Sequence, residues 1–280
     1  MEIVAEGLAF PEGPVVMADG SVIVVEIKGG RLTRCWNGKT ETICELGGGP
    51  NGAAYGPDGA IWVCNNGGIG KTGPAAQGRI ERVDLATGRF ERVYDSCDGI
   101  ALEGPNDLVF DADGRLYFTD LGKHLGATRT FSGLFSCLPD GSSITAMHRE
   151  AISYNGIGIS PDGQYIYVAD TFQARIYRYD ARPEAQNPTF IANVTGPVGL
   201  DSLAITQAGN ICVATLYDGA ISTVTPQGAV TRLAIPNEPF VTNIAFGGSD
   251  MRDAWITLAS QGRLVHTRWD EPGLELAYNG

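Results

Sequence analysis

Asn106–Asp120 reads NDLVFDADGRLYFTD, and Asn155–Asp170 reads NGIGISPDGQYIYVAD. In both, a polar residue opens a short apolar run, an Asp-Gly pair follows with its Asp seven positions downstream, and a second apolar run ends in Asp. Asp-Gly is turn chemistry, because Gly takes positive φ without a steric penalty. Apolar runs of this length between turns have strand dimensions. Each stretch is therefore predicted to be an antiparallel hairpin.

Working outward, the same unit recurs four more times. Asp19-Gly20 precedes SVIVVE, Asp58-Gly59 precedes AIWVCN, and weaker copies stand at Ala208-Gly209 and around Asp250–Asp253. The opening polar residue keeps its offset of seven throughout: Glu12, Asn51, Asn106, Asn155, Asp201 and Asn243. Steps between these residues average about 46, the spacing of a propeller blade. A third strand follows each hairpin (GRLTRCW, GRIERVD, GLFSCLPDG, ARIYRYD, GAISTVTPQG, GRLVHTRW), and often a fourth, such as RFERVYD or AVTRLAI. The expectation is an all-β chain, a six-bladed β-propeller with four antiparallel strands per blade, forming one domain over residues 1–280. The last blade is expected to be closed by Glu2–Ala5 or by the C-terminal LELAY.

Composition agrees with a turn-rich β chain and excludes several classes. Of 280 residues, 38 are Gly, while hydrophobic residues make up 43% and so exclude low-complexity disorder. The net charge of −12 argues against a nucleic-acid partner, which needs a basic footprint. No apolar run approaches membrane-spanning length, and the six Cys form no CxxC pair near any of the three His. Met1–Glu6 lacks the basic and apolar regions of a signal peptide, so a cytoplasmic location with reduced thiols is expected.

In a propeller the first strand of each blade lines the channel, so the six opening residues form a ring around its axis. Glu12 and Asp201 bring two carboxylates, and the Asn residues bring amide oxygens, the ligand types that Ca²⁺ and Mg²⁺ take. Inward-facing carboxylates repel one another unless a cation or protons neutralise them. For Asn51 and Asn243 an Asx-turn role in a wet channel stays open. Loops joining second to third strands lie on the ring face. Two of them are long, residues 65–78 and 120–133, and bring Lys71, Lys123, His124 and Arg129 within reach of the ring.

FPEGP (Phe10–Pro14), GPNDLVFDADGRLYFTD (Gly104–Asp120), YNGIGISPDGQYIYVADT (Tyr154–Thr171) and GLDSLAITQAGNICVATL (Gly199–Leu216) resemble the SMP-30/gluconolactonase/LRE family. The resemblance implies one catalytic divalent cation held by Glu12, Asn155 and Asp201, with Ca²⁺ favoured and Mg²⁺, Mn²⁺ or Zn²⁺ possible. It further implies hydrolysis of a small-molecule lactone, typically a sugar lactone, with other esters and phosphotriesters as related substrates. A non-catalytic ligand-binding propeller is the alternative from outside enzymology. Asp201 is expected to act as general base, Asn106 to contact the metal or substrate, and His124 and Arg129 to contact substrate. Gly104 stands where sugar-lactone hydrolases of the family often carry Arg.

Overall fold

Both hairpins form in the computed structural model, which describes residues 1–280. Pro105–Phe110 pairs with Leu116–Asp120, and Tyr154–Ile159 pairs with Tyr165–Asp170, each antiparallel. Their turns are built as the sequence implies. Gly114 sits at φ 82°, and the side chain of Asp162 accepts the amide of Gln164 at 3.1 Å.

Six four-stranded antiparallel sheets result, and the chain is a six-bladed β-propeller. The inner strands are Pro11–Val16, Pro50–Tyr55, Pro105–Phe110, Tyr154–Ile159, Gly199–Ile205 and Val241–Gly247. Each packs against the next, and the last packs against the first. Five blades follow simple sequence order. The sixth takes Glu2–Glu6 as its outer strand, with Glu2 opposite His266 and Glu6 opposite Arg263.

Of the two candidate closing segments, the N-terminal one is used. The C-terminal LELAY instead crosses the mouth of the channel opposite the ring, where the Leu274 amide donates to the Ile205 carbonyl at 2.8 Å. Its apolar residues at alternate positions, Leu274, Leu276 and Tyr278, line a small cavity of about 120 Å³ with the far halves of the inner strands. Tyr278 meets Phe110 edge-on at 6.0 Å. Covering that apolar floor is a use for the tail that a strand in a sheet would not serve.

The core is divided into six wedges between blades. Second strands are buried on both faces, so alternate residues serve opposite neighbours. In Val22–Glu26, Ile23 and Val25 pack toward blade two, while Val22 and Val24 pack toward blade six. In Leu116–Asp120, Leu116 and Phe118 face blade two and Tyr117 faces blade four. Trp62, Tyr117, Tyr167 and Trp255, at matching second-strand positions, each fill a different wedge. A blade alone would expose one or both faces of its second strand.

Ala5 belongs to the closing strand and is 1% exposed, packed in the wedge with Val22, Val24, Trp255 and Leu264. Ala5→Asp places an unpaired charge there and is expected to cost about 3 kcal/mol or more, read as a lowered urea midpoint. A midpoint equal to that of the unaltered chain would show that the closing strand is dispensable.

Candidate active site

Ladder irregularities aim four of the ring residues, Asn51, Asn106, Asn155 and Asp201, and adjoin Glu12 and Asn243. The register shifts between Glu12 and Val15, Pro50 and Ala53, Pro105 and Leu108, Tyr154 and Ile157, Leu200 and Leu203, and Val241 and Asn243. A β-bulge leaves residues unpaired and turns their side chains away from the regular alternation. Adjacent inner strands come closest here. A Cβ on Gly52 would lie 2.5 Å from the Asn106 carbonyl oxygen, and one on Gly156 would lie 2.4 Å from that of Asp201.

The backbone just ahead of four of the six bulges is tied down from the end of the second strand. Glu26 accepts the Ala9 amide at 2.6 Å, Asn65 accepts that of Gly49 at 2.9 Å, and Asp120 accepts those of Gly104 and Glu103 at 2.7 and 2.9 Å. Asp170 accepts the Ser153 hydroxyl at 2.5 Å. These are the polar residues ending VVE, VCN, FTD and VAD in the sequence.

Above the ring opens a cavity of about 360 Å³, lined at its floor by Glu12, Asn51, Asn106, Asn155 and Asp201. Glu12 Oε2 accepts the Gly13 amide and, at 2.7 Å, the side-chain amide of Asn243. Asn243 spends its own oxygen on the Ile244 amide at 2.7 Å, so it buttresses Glu12 and offers nothing to the cavity. Asn155 donates to the Thr171 hydroxyl at 3.1 Å. Glu12 Oε1, Asn106 Oδ1 and Asn155 Oδ1 are left buried without any hydrogen-bond partner.

Burial dominates the electrostatics. It lifts Glu12 well above the usual carboxylate range, and the negative charges of Asp201 and Asp107 add to the shift. Asp201 is raised to about 7 by burial, with Asp107 adding to the shift and the Asn155 side chain opposing it. Asp107, also raised to about 7, is held there by burial and pulled back in part by the Leu108 amide. No basic group is among the leading influences on any of the three.

Three unpartnered acceptor oxygens beside repelling carboxylates fit a hard cation bound through oxygen. A donor-free set of this kind costs several kcal/mol when left bare. No three His, Cys, Asp or Glu side chains converge on one point, so any such cation would need the Asn oxygens as well.

Residues 10–260 match the family model described as SMP-30/Gluconolactonase/LRE-like region. The chain belongs to this family. It is 27% identical to a gluconolactonase of Zymomonas mobilis, over 88% of this chain and 76% of that relative. It is 26% identical to lactonase drp35 of Staphylococcus aureus over 64% of this chain and 55% of the relative, so it spans about half of that protein. A gluconolactonase structure from Xanthomonas campestris superposes with TM-score 0.77 at 22% identity, covering 95% of this chain and 88% of that one, which speaks to the fold.

Within this SMP-30/gluconolactonase/LRE-like chain, the loops lie where the register put them, but their side chains divide. Lys123 and His124 line the cavity, whereas Lys71 and Arg129 do not. Arg129 sits on a short hairpin, His124–Leu125 against Thr128–Arg129, with its guanidinium 4.9 Å from the Phe172 ring centroid. His124 meets the same ring edge-on at 5.3 Å. Lys123 donates to the Ala76 carbonyl and ties the two long loops together.

Two features lie outside the sequence reading. Asp107 follows its ring residue where three other blades have Gly13, Gly52 and Gly156 and the remaining two have Ser202 and Ile244, and that contrast with the glycines is its only signal. The aromatic wall of Phe10, Phe172 and Tyr217 had none. Phe10 and Tyr217 take φ of 63° and 75°, a left-handed conformation that costs a bulky residue on the order of 1 kcal/mol or more. Each is held by backbone bonds, Ile27 amide to Phe10 carbonyl at 3.0 Å and Tyr217 amide to Pro239 carbonyl at 2.6 Å.

Asp107 and Asp201 titrate in the folded chain at about 7 and in the unfolded chain at about 4. Between those values the folded chain keeps protons that the unfolded chain has released. Their contribution to stability is therefore full below about pH 4 and is lost as the pH rises through 7. The Tm of chelator-treated protein is expected to fall from about pH 5 to pH 8, and Ca²⁺ to raise it more at pH 8 than at pH 5. Equal Ca²⁺-induced shifts at both pH values would contradict a cation on these carboxylates.

Proposed function

We propose that the protein is a metal-dependent hydrolase that opens a lactone ring. The observation that carries this reading is the set of three buried, unpartnered oxygens, Glu12 Oε1, Asn106 Oδ1 and Asn155 Oδ1, on the floor of one cavity with Asp201. The lactone-hydrolysing class is supported by the names of the gluconolactonase and lactonase relatives.

Glu12, Asn155 and Asp201 would hold one divalent cation, Ca²⁺ before Mg²⁺, Mn²⁺ or Zn²⁺, because all the donors are hard oxygens. When bound, the cation supplies Lewis-acid polarisation of the lactone carbonyl. Asp201, at the edge of the cation site, accepts a proton from the attacking water. The water oxygen bonds to the carbonyl carbon, the ring C–O bond breaks, and the departing ring oxygen takes a proton, leaving a hydroxy acid. Asn106 orients the substrate through its amide. Asn243 fixes the Glu12 carboxylate, and His124 faces the substrate from the lid. Arg129 acts on the substrate only through Phe172.

No helix is long and apolar enough to cross a membrane. All six thiols are free and buried, which supports a reducing, cytoplasmic setting.

The test is a lactone panel on chelator-stripped protein with each cation restored in turn. Asp201→Asn is expected to lower kcat about 10²-fold or more while the melting curve stays cooperative. Absence of turnover on every lactone with every cation would sink the reading, and full activity of Asp201→Asn would remove the base from that residue.

A further inference from the structure

Resting on the lactonase reading, we infer that the substrate carries an apolar substituent, an alkyl or aryl group, which lies against the wall formed by Phe10, Ile69, Phe172, Leu216 and Tyr217. These residues stand above the polar floor of the same cavity. Ile69, Phe172 and Tyr217 are 66%, 47% and 55% exposed, so much of each remains open even though Phe172 meets Arg129 and His124 and Tyr217 meets Phe240. Single exposed apolar residues are ordinary, but a contiguous group around a cavity marks a ligand surface. Two of the wall aromatics are held in left-handed backbone, Phe10 and Tyr217, and strain of that kind is kept where the surroundings overdetermine it.

Several polar groups around this wall are already engaged, which leaves the Asn66 amide nitrogen, the Thr171 hydroxyl hydrogen and the His124 ring. Asn66 accepts the Gly68 amide at 2.8 Å, the Thr171 hydroxyl accepts from Asn155, and the Thr242 hydroxyl bonds the Pro11 carbonyl at 3.1 Å. Lys123, the one charged side chain above the floor, is directed to the Ala76 carbonyl. Gly104 cannot lend a side chain either, since a Cβ there would lie 2.5 Å from the Gly122 carbonyl oxygen. A polyhydroxylated substituent would find few donors or acceptors and would lose its hydration without replacement. An alkyl chain gains up to about fourfold in affinity per buried methylene.

The experiment has two arms on the Ca²⁺-loaded full chain. In the first, kcat/KM is measured for δ-decalactone, δ-valerolactone and glucono-δ-lactone. The alkyl lactone is expected to exceed each of the others by about tenfold or more, and the decalactone-to-valerolactone ratio is expected to collapse in Phe172→Ser/Tyr217→Ser. A higher kcat/KM for glucono-δ-lactone, or an unchanged ratio in a variant that melts normally, overturns the inference. In the second arm, calorimetric titration compares 2-pentylcyclopentanone with cyclopentanone, ketones with no ester to hydrolyse. Tighter binding of the pentyl compound by about tenfold supports the apolar wall, and equal affinities overturn it. Should no lactone turn over, the lactonase reading fails, and the ketone arm still decides the wall.

Discussion

Six strands have to pass one axis at backbone contact, and most of what is distinctive in this chain follows from that crowding. Where the inner strands come closest, neither Gly52 nor Gly156 has room for a methyl group. A regular ladder would alternate side chains between the two faces of each blade and put none firmly on the axis. The bulges break that alternation at the crowded point, which swings Asn51, Asn106, Asn155 and Asp201 into the channel. Close packing and an oxygen-lined site are thus two outcomes of one irregularity.

Crowding also sets the electrostatics. Carboxylates at an axis enclosed by six sheets lose water from every side, and Glu12, Asp107 and Asp201 lie near enough to repel one another with no basic side chain among the leading influences on them. The fold bears this cost locally because its stability lies elsewhere, in the six apolar wedges between blades. The division of labour is spatial, with second strands holding the ring together and inner strands free to carry unfavourable groups. Above the axis the chain departs from the repeat, since two long loops and the strained aromatics Phe10 and Tyr217 give the cavity a wall unlike its floor.

The legible part of the molecule is the part that repeats. An offset of seven residues between Glu12 and Asp19 says little by itself. Held six times, it defines hairpins, blades, an axis and a ring, because strand geometry turns a constant sequence offset into a constant position in space. The loops were legible as loops, and their side chains were not. Arg129 and His124 are five residues apart in one lid, yet one lies over the Phe172 ring away from the cavity lining and the other lines the cavity. The C-terminal LELAY carries an alternation suited to a strand, and only the apolar floor of the channel shows why it lies elsewhere.

What the sequence by itself determined is the number of blades and the identity of the six residues that meet at the axis, since both follow from local periodicity and turn chemistry. Tertiary structure alone decided which ring oxygens are left without donors, that Asn243 turns back to hold Glu12, that Asp107 joins the buried charges, and that aromatics wall the cavity. The physical reason is that hydrogen-bond satisfaction, desolvation and contact across the axis depend on neighbours up to 231 positions apart in the chain, as Glu12 and Asn243 are, and no local pattern records such pairs.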